Sequence, residues 1–201
     1  WQLDGVWEGV KDPNFYAWND YGVTDFNYWV AGESVSDEWA HYALVFDNGT
    51  LRAYVNGVET GEETGFTARP TAGDGLAVLG RAWQRQDRDF HGAMDDVAVF
   101  NNALTEAQVQ AIMAGDFSAW IGGEGEGEGE GEGEGEGEQV PTDSDLLALW
   151  RFNEGSGTIV VDASVYGNDG ELQGVIWDDG AGDYVPEPTE RPTWVAGKYG
   201  K

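Results

Sequence analysis

The amino-acid sequence points to an all-β sandwich carrying one short helix. Three observations support this: a period-two strand at Ala40–Phe46 that turns straight into a second at Leu51–Val55, further short strand-like runs along the chain, and a single stretch, Glu106–Ala114, with helical spacing and caps. The length of 201 residues admits one full domain or two partial ones.

Taken in order, Thr24–Val30 reads as the first strand. In Ala40–Phe46, Tyr42, Leu44 and Phe46 fall on one face and Ala43 and Val45 on the other. Asp47-Asn48-Gly49-Thr50 supplies turn residues, predicting a hairpin with a four-residue loop. Asn56-Gly57 then predicts a two-residue turn into Val58–Thr60. Leu76–Leu79 and Met94–Phe100 read as further strands. In the helix, Thr105 and Gln108 form a T-x-x-Q capping box, Val109, Ile112 and Met113 make the apolar stripe, and Gly115 closes the last turn.

From Gly123 to Glu138, Gly and Glu alternate strictly. Glycine entropy and like-charge repulsion keep such a tract out of a core, so we read it as a solvated spacer. A calcium sponge is the weaker reading, because tight calcium binding needs a fixed oxygen cage. The expected organisation is a sandwich over residues 1–121, a linker over 122–140, and a second partial module over 141–201 that completes the first sandwich or stands apart. In that second part Leu146–Phe152 and Thr158–Val161 read as strands, separated by the turn Asn153–Gly157, and no clear element is expected between Gly180 and Trp194. Sixty residues with so few strands bury little surface alone, so this segment needs a partner.

Charge and composition narrow the function. Acids outnumber bases 38 to 10, for a net charge of -28. Nucleic-acid affinity comes mainly from Lys and Arg neutralising phosphates, so a nucleic-acid partner is excluded, and anionic membrane surfaces are disfavoured on the same ground. No apolar run exceeds five residues, against the ~20 that span a bilayer, so no membrane insertion is expected. The chain has no cysteine, which removes disulfides and thiolate chemistry. The acidity of both flanking segments suits an extracellular or cell-surface setting. The chain opens on Trp1, and we read it as a piece of a longer polypeptide whose other domains are its neighbours.

Four segments in order carry a family resemblance. Asp37-Glu38-Trp39-Ala40-His41-Tyr42-Ala43-Leu44-Val45-Phe46-Asp47, then Leu51-Arg52-Ala53-Tyr54-Val55-Asn56-Gly57, then Phe90-His91-Gly92-Ala93-Met94-Asp95-Asp96-Val97-Ala98-Val99-Phe100, and the helix start Asn101–Glu106 resemble the central hairpin, closing strand and helix of laminin-G-like, concanavalin A-like jelly rolls. Downstream, Leu149–Thr158 and Val161-Asp162-Ala163-Ser164-Val165-Tyr166-Gly167-Asn168-Asp169-Gly170 resemble the opening strand and loop of the same kind of domain, as if the back of one repeat were followed by the front of the next. The resemblance implies that first and last strands are sheet neighbours. Unpaired edges recruit strands, so Leu146–Phe152 is expected to fold back onto Met94–Phe100.

The resemblance also implies a binding module of a secreted or surface protein, recognising carbohydrate or a protein ligand. A purely structural repeat is the alternative and a glycoside hydrolase the least favoured reading. Catalysis is not expected: the paired-carboxylate E-x-D-x-x-E signature of concanavalin A-like hydrolases is missing, Asp95 and Asp96 are adjacent and on a strand would face opposite ways, and Glu154 lies in a turn. His41 is expected to pack structurally, and His91 has no zinc-spaced companion. Trp39 and Trp150 read as core residues; Trp7, Trp18 and Tyr21 are weak ligand candidates. The expected ligand site is Trp83 with Arg81, Arg85 and Arg88, three of the ten basic residues within one loop, suited to carboxylates or an acidic glycan. The plainer account pairs those arginines with Asp87 and Asp89. For a metal, the resemblance implies a structural calcium at Asp96, Asp162, Asn168 and Asp169, against which stands the common use of Asp and Asn to make turns in Gly-rich loops.

Overall fold

The computed structural model describes residues 2–4, 14–16, 30–31, 38–65, 79–80, 90, 92–121, 142–178, 180 and 183–196. These fall into two compact units. The first takes Trp1–Ala93, Ala103–Met113 and Gln173–Pro192, and the second Met94–Asn102, Ala114–Leu172 and Thr193–Lys201. The elements are strands in antiparallel sheets with one short α-helix, an all-β architecture.

In the first unit, β1 (Gln2–Asp4), β2 (Asn14–Tyr16) and β3 (Val30–Ala31) form one three-stranded sheet. The second comprises β4 (Tyr42–Asp47), β5 (Thr50–Val55) and β6 (Val58–Thr64). Asp47 pairs with Thr50 and Val55 with Val58, so both turns hold only two residues. Asn48 and Gly49 have φ of 43° and 87°, and Asn56 and Gly57 51° and 76°. Positive φ at both central positions is the type I′ turn, whose twist matches that of the strands. The four-residue loop expected at Asp47–Thr50 is therefore shorter, since Asp47 and Thr50 belong to the ladder.

Alternation along this sheet splits its side chains between two packings. Leu51 and Ala53 are buried with Tyr42, Leu44 and Phe46 against them. On the other face Val45 and Tyr54 pack with Val109 of the helix α1 (Glu106–Met113), together with Ala43 and Leu104. The helix starts as its residues dictate: the Thr105 N–H donates to Gln108 Oε1 at 2.7 Å and the Gln108 N–H returns to Thr105 Oγ1 at 3.3 Å. Gly115 follows at φ 80°. Gln110 donates to the Gly57 carbonyl at 3.1 Å, fastening the helix to the second turn. This unit also holds β11 (Val175–Asp178) paired with β12 (Asp183–Pro186), followed by a 3-10 turn at Pro188–Glu190. β12 and the 3-10 turn thus lie in the stretch between Gly180 and Trp194 where no clear element was expected. The hairpin's strands carry Pro186 and two acids, Asp178 and Asp183, which mask a strand pattern.

In the second unit, β7 (Val97–Phe100) pairs antiparallel with β8 (Leu146–Trp150), matching Val97 with Trp150, Ala98 with Leu149 and Val99 with Ala148. Two segments far apart in sequence thus share a ladder across the Gly-Glu tract. The Asn101 N–H donates to the Asp145 carbonyl at 3.0 Å and the Asn101 side-chain amide to the Ser144 carbonyl at 3.0 Å, extending the pairing past Phe100. β9 (Ile159–Val160) pairs with β10 (Gly170–Glu171). Leu146, Ala148, Leu149, Val160, Phe117 and Trp120 are buried here, and the Phe100 and Trp120 rings meet at 5.1 Å between centroids, tilted by 60°.

Several expectations change. The strand expected at Met94–Phe100 begins only at Val97, because Asp96 sits at φ 49°. Asp95 and Asp96 therefore precede the strand, and alternate-face geometry does not apply to them. Trp39, read as core, is 39% exposed. Trp150 is half-buried, its indole N–H donating to the Asn168 carbonyl at 2.8 Å. Of the strand expected at Leu76–Leu79 only Leu79 is described, outside any strand and exposed; the rest of it, most of Thr24–Val30, and Trp7, Trp18, Tyr21 and His91 lie outside the described residues. Among the described residues no helix is long and apolar enough to cross a membrane.

Candidate functional site

Among the described residues, the most strongly organised polar cluster is built around Asp162, which is 6% exposed. Asp162 forms an antiparallel bridge with Trp150, so its loop runs along β8. Its Oδ1 accepts the Leu149 and Ser164 backbone N–H groups, each at 2.8 Å. Its Oδ2 accepts the Ser164 hydroxyl at 2.7 Å and the Asn168 N–H at 2.7 Å. Burial by itself would raise this carboxyl, but the bonds from Leu149, Ser164 and Asn168 outweigh it and hold the group below the usual aspartate range. Two oxygens offer about four lone-pair sites, and here all are filled.

The neighbours repeat the theme. The Asp162 N–H donates to Asp169 Oδ1 at 2.9 Å, and the Asn168 amide donates to the Leu147 carbonyl at 2.8 Å. Tyr166 reaches the Ser144 carbonyl through its hydroxyl at 3.0 Å. Glu154 Oε1 accepts the Val161 N–H at 2.9 Å, so this carboxylate also ties a turn to a strand. Glycines at φ 65°, 83° and 65°, Gly155, Gly157 and Gly167, let the chain fold back between these contacts. The structure thus brings Asp162, Asn168 and Asp169 together as one stapled loop.

Asp96 does a different job. Its Oδ1 lies 3.6 Å from Arg151 Nη1, and the Arg151 guanidinium sits 4.9 Å above the centre of the Phe117 ring. Phe152, the next residue, has φ 53°, a conformation bulky side chains rarely adopt. Among the described residues no group of three or more His, Cys, Asp and Glu is gathered as a metal site. As direct ligand in this arrangement Asp162 has no lone pair to offer, and Asp96 already faces a guanidinium. The fit to a hard cation is poor at these two and is left to Asn168 and Asp169.

Trp83, Arg81, Arg85 and Arg88 lie outside the described residues. His41 is half-buried; its backbone N–H donates to Asn56 Oδ1 at 2.9 Å and its carbonyl accepts the Asn56 N–H at 2.8 Å. Sequence reasoning did not single out Arg151, Phe117, Trp120 or Ser164. Only Ser164 had a local signal: Asp-x-Ser in a Gly-rich loop is the pattern of a side chain capping its own turn.

Comparison with known proteins adds the family. The model of the concanavalin A-like lectin/glucanases superfamily matches residues 3–110, taking in the β4–β5–β6 hairpins, the closing strand and most of α1. The downstream motifs at Leu149–Gly170 lie beyond the matched range. Among solved structures, the chain is similar to an S-layer domain-containing protein from Clostridium thermocellum, at 19% identity and a TM-score of 0.30, over 41% of this chain and 42% of that one. The chain thus spans less than half of that structure, and the likeness is too slight to bear on function. No curated protein matches. With more than half of its length matched, the chain belongs to the concanavalin A-like lectin/glucanase superfamily.

Proposed function

We propose that the chain is a non-catalytic binding and adhesion module of a secreted or cell-surface protein, recognising carbohydrate or a protein ligand through its loops. The observation that carries this reading is the superfamily match, whose range includes the segment with Trp83, Arg81, Arg85 and Arg88. An indole offers a flat apolar face, and guanidinium groups offer bidentate bonds to carboxylates. A glycan array probed with the intact chain, then with Trp83→Ala, tests it. The array is expected to show hits on acidic glycans that Trp83→Ala abolishes; hits that survive the substitution remove the loop from the reading.

A purely structural repeat is the second reading, favoured by one observation: β8 pairs with β7 across the Gly-Glu tract, joining the family-like closing strand to the family-like opening one. A blank array from correctly folded chain, with a blank protein-ligand screen, favours this reading over the first. Calcium enters the proposal in a narrowed form, held by Asn168 and Asp169, with Asp162 holding their loop in place through its hydrogen bonds. Calorimetric titration of chelator-treated protein tests it, with heat at millimolar calcium expected and none contradicting it. Hydrolysis of a polysaccharide panel would overturn the non-catalytic reading.

A further inference from the structure

A cavity of about 290 Å³ opens in the first unit, between the helix-facing side of the β4–β5 hairpin and the segment leading into α1. Its floor is apolar: Val45 and Tyr54 are buried, and Leu104 is half-buried beside them. Its rim is polar, with Asp47 and Glu106 exposed and Arg52 half-buried. Arg52 is already engaged, with Nε 2.9 Å from Glu62 Oε2 and 3.9 Å from Glu59 Oε2. Its charge is therefore spent on two acids outside the rim, and the Asp47 and Glu106 carboxylates are left in excess. Burial first, and Glu59 next, push the Tyr54 hydroxyl above its ordinary value, so this group stays neutral and adds no further positive or negative charge.

We propose that this cavity takes a protonated primary amine on an aliphatic stem, the chemistry of a lysine side chain. Two features choose that class together. The sign of the rim rejects carboxylates and phosphates, while an apolar floor suits methylenes and offers few partners to a ring bearing a hydroxyl on every carbon. The volume, near the lower end of ligand cavities at about 300 Å³, admits a four- or five-carbon stem. The lining named for this cavity shares no residue with the Trp83 segment, so the proposal stands or falls independently of the binding reading.

The test is nuclear magnetic resonance titration of the isotope-labelled full chain with n-pentylamine, 1-pentanol, Nα-acetyl-lysine amide and glucosamine. The two alkylammonium probes are expected to shift the amides of Val45, Leu104 and Glu106, and 1-pentanol to do so much more weakly. Removing one carboxylate, by Glu106→Gln or Asp47→Asn, is expected to weaken n-pentylamine by about fivefold, the scale of one solvent-facing ion pair. Added salt should weaken it further. Equal shifts from 1-pentanol, or none at these amides from either alkylammonium, overturn the site. Glucosamine binding more tightly than n-pentylamine overturns the aliphatic-stem assignment. The comparison of amine with alcohol uses unaltered protein, so a variant that fails to fold does not decide the outcome.

Discussion

The β4–β5–β6 sheet and the Asp162 loop solve the same problem, reversing the chain tightly, by different physics. In the sheet the reversals are dihedral: Asn48-Gly49 and Asn56-Gly57 adopt positive φ, and apolar side chains on both faces supply the burial. In the loop a single buried carboxylate collects four donors from three residues. The first device is indifferent to protonation and spread over many contacts. The second is concentrated on one ionisable group. The difference teaches where each region is vulnerable.

The largest effect should come from removing that carboxylate. Asp162→Ala leaves three N–H groups and a hydroxyl without their acceptor, and at ~1–3 kcal/mol for each buried donor left unmade, partly relaxed, the expected loss is about 3–5 kcal/mol. Denaturant unfolding followed by tryptophan fluorescence measures it, and a loss below about 1 kcal/mol would show the staple to be dispensable. Next, Leu149→Ala in the second unit and Leu51→Ala in the first should each cost about 2–4 kcal/mol, since both side chains are fully buried. Similar losses would confirm that the two regions differ in their turns rather than in their cores. Gly57→Ala should cost about 1–2 kcal/mol, because Gly57 is at φ 76° and the new methyl would meet Gln110 Cγ at 3.0 Å. Thr105→Ala, which deletes the helix cap, should cost about 1 kcal/mol.

Acid sharpens the same contrast. The Asp162 carboxyl titrates lower in the folded chain than in the unfolded one, so its stabilisation is present above the unfolded value and is lost as pH falls through the folded value. The protection of the Leu149, Ser164 and Asn168 amides, measured against their intrinsic exchange rates, should therefore fall on acidification below about pH 4, the ordinary aspartate range. In Asp162→Asn that acid-dependent loss should vanish, leaving a loop with lower protection at every pH.

Local patterns with one physical cause were readable. Strict alternation marked β4 and β5, Asn56-Gly57 marked its turn, and Thr105 with Gln108 marked the helix start, because each is decided by neighbours within a few residues. The fold-back of Leu146–Trp150 was readable for a different reason: an edge strand without a partner is costly wherever it occurs. Missed features depend on distant context. Phe117 and Trp120 lie just past the helix in a segment with no periodicity, and only the packing of Trp120 on Phe100 makes them core. Asp162 carries the chemistry expected of it, a carboxylate in a Gly-rich loop, but metal ligand and turn staple use the same oxygens. The choice between them depends on backbone N–H groups of Leu149 and Asn168, which sequence does not position.

The pairing of β7 with β8 is the most direct point of attack, since it joins segments on either side of the Gly-Glu tract. A protease that cuts after glutamate, applied briefly under native conditions, leaves one fragment with Val97–Phe100 and another with Leu146–Trp150. Gel filtration without denaturant should then return both fragments in a single peak at the mass of the uncut chain. Two peaks, each at its own fragment mass, would contradict the shared ladder and with it the account of how this chain closes its sheet.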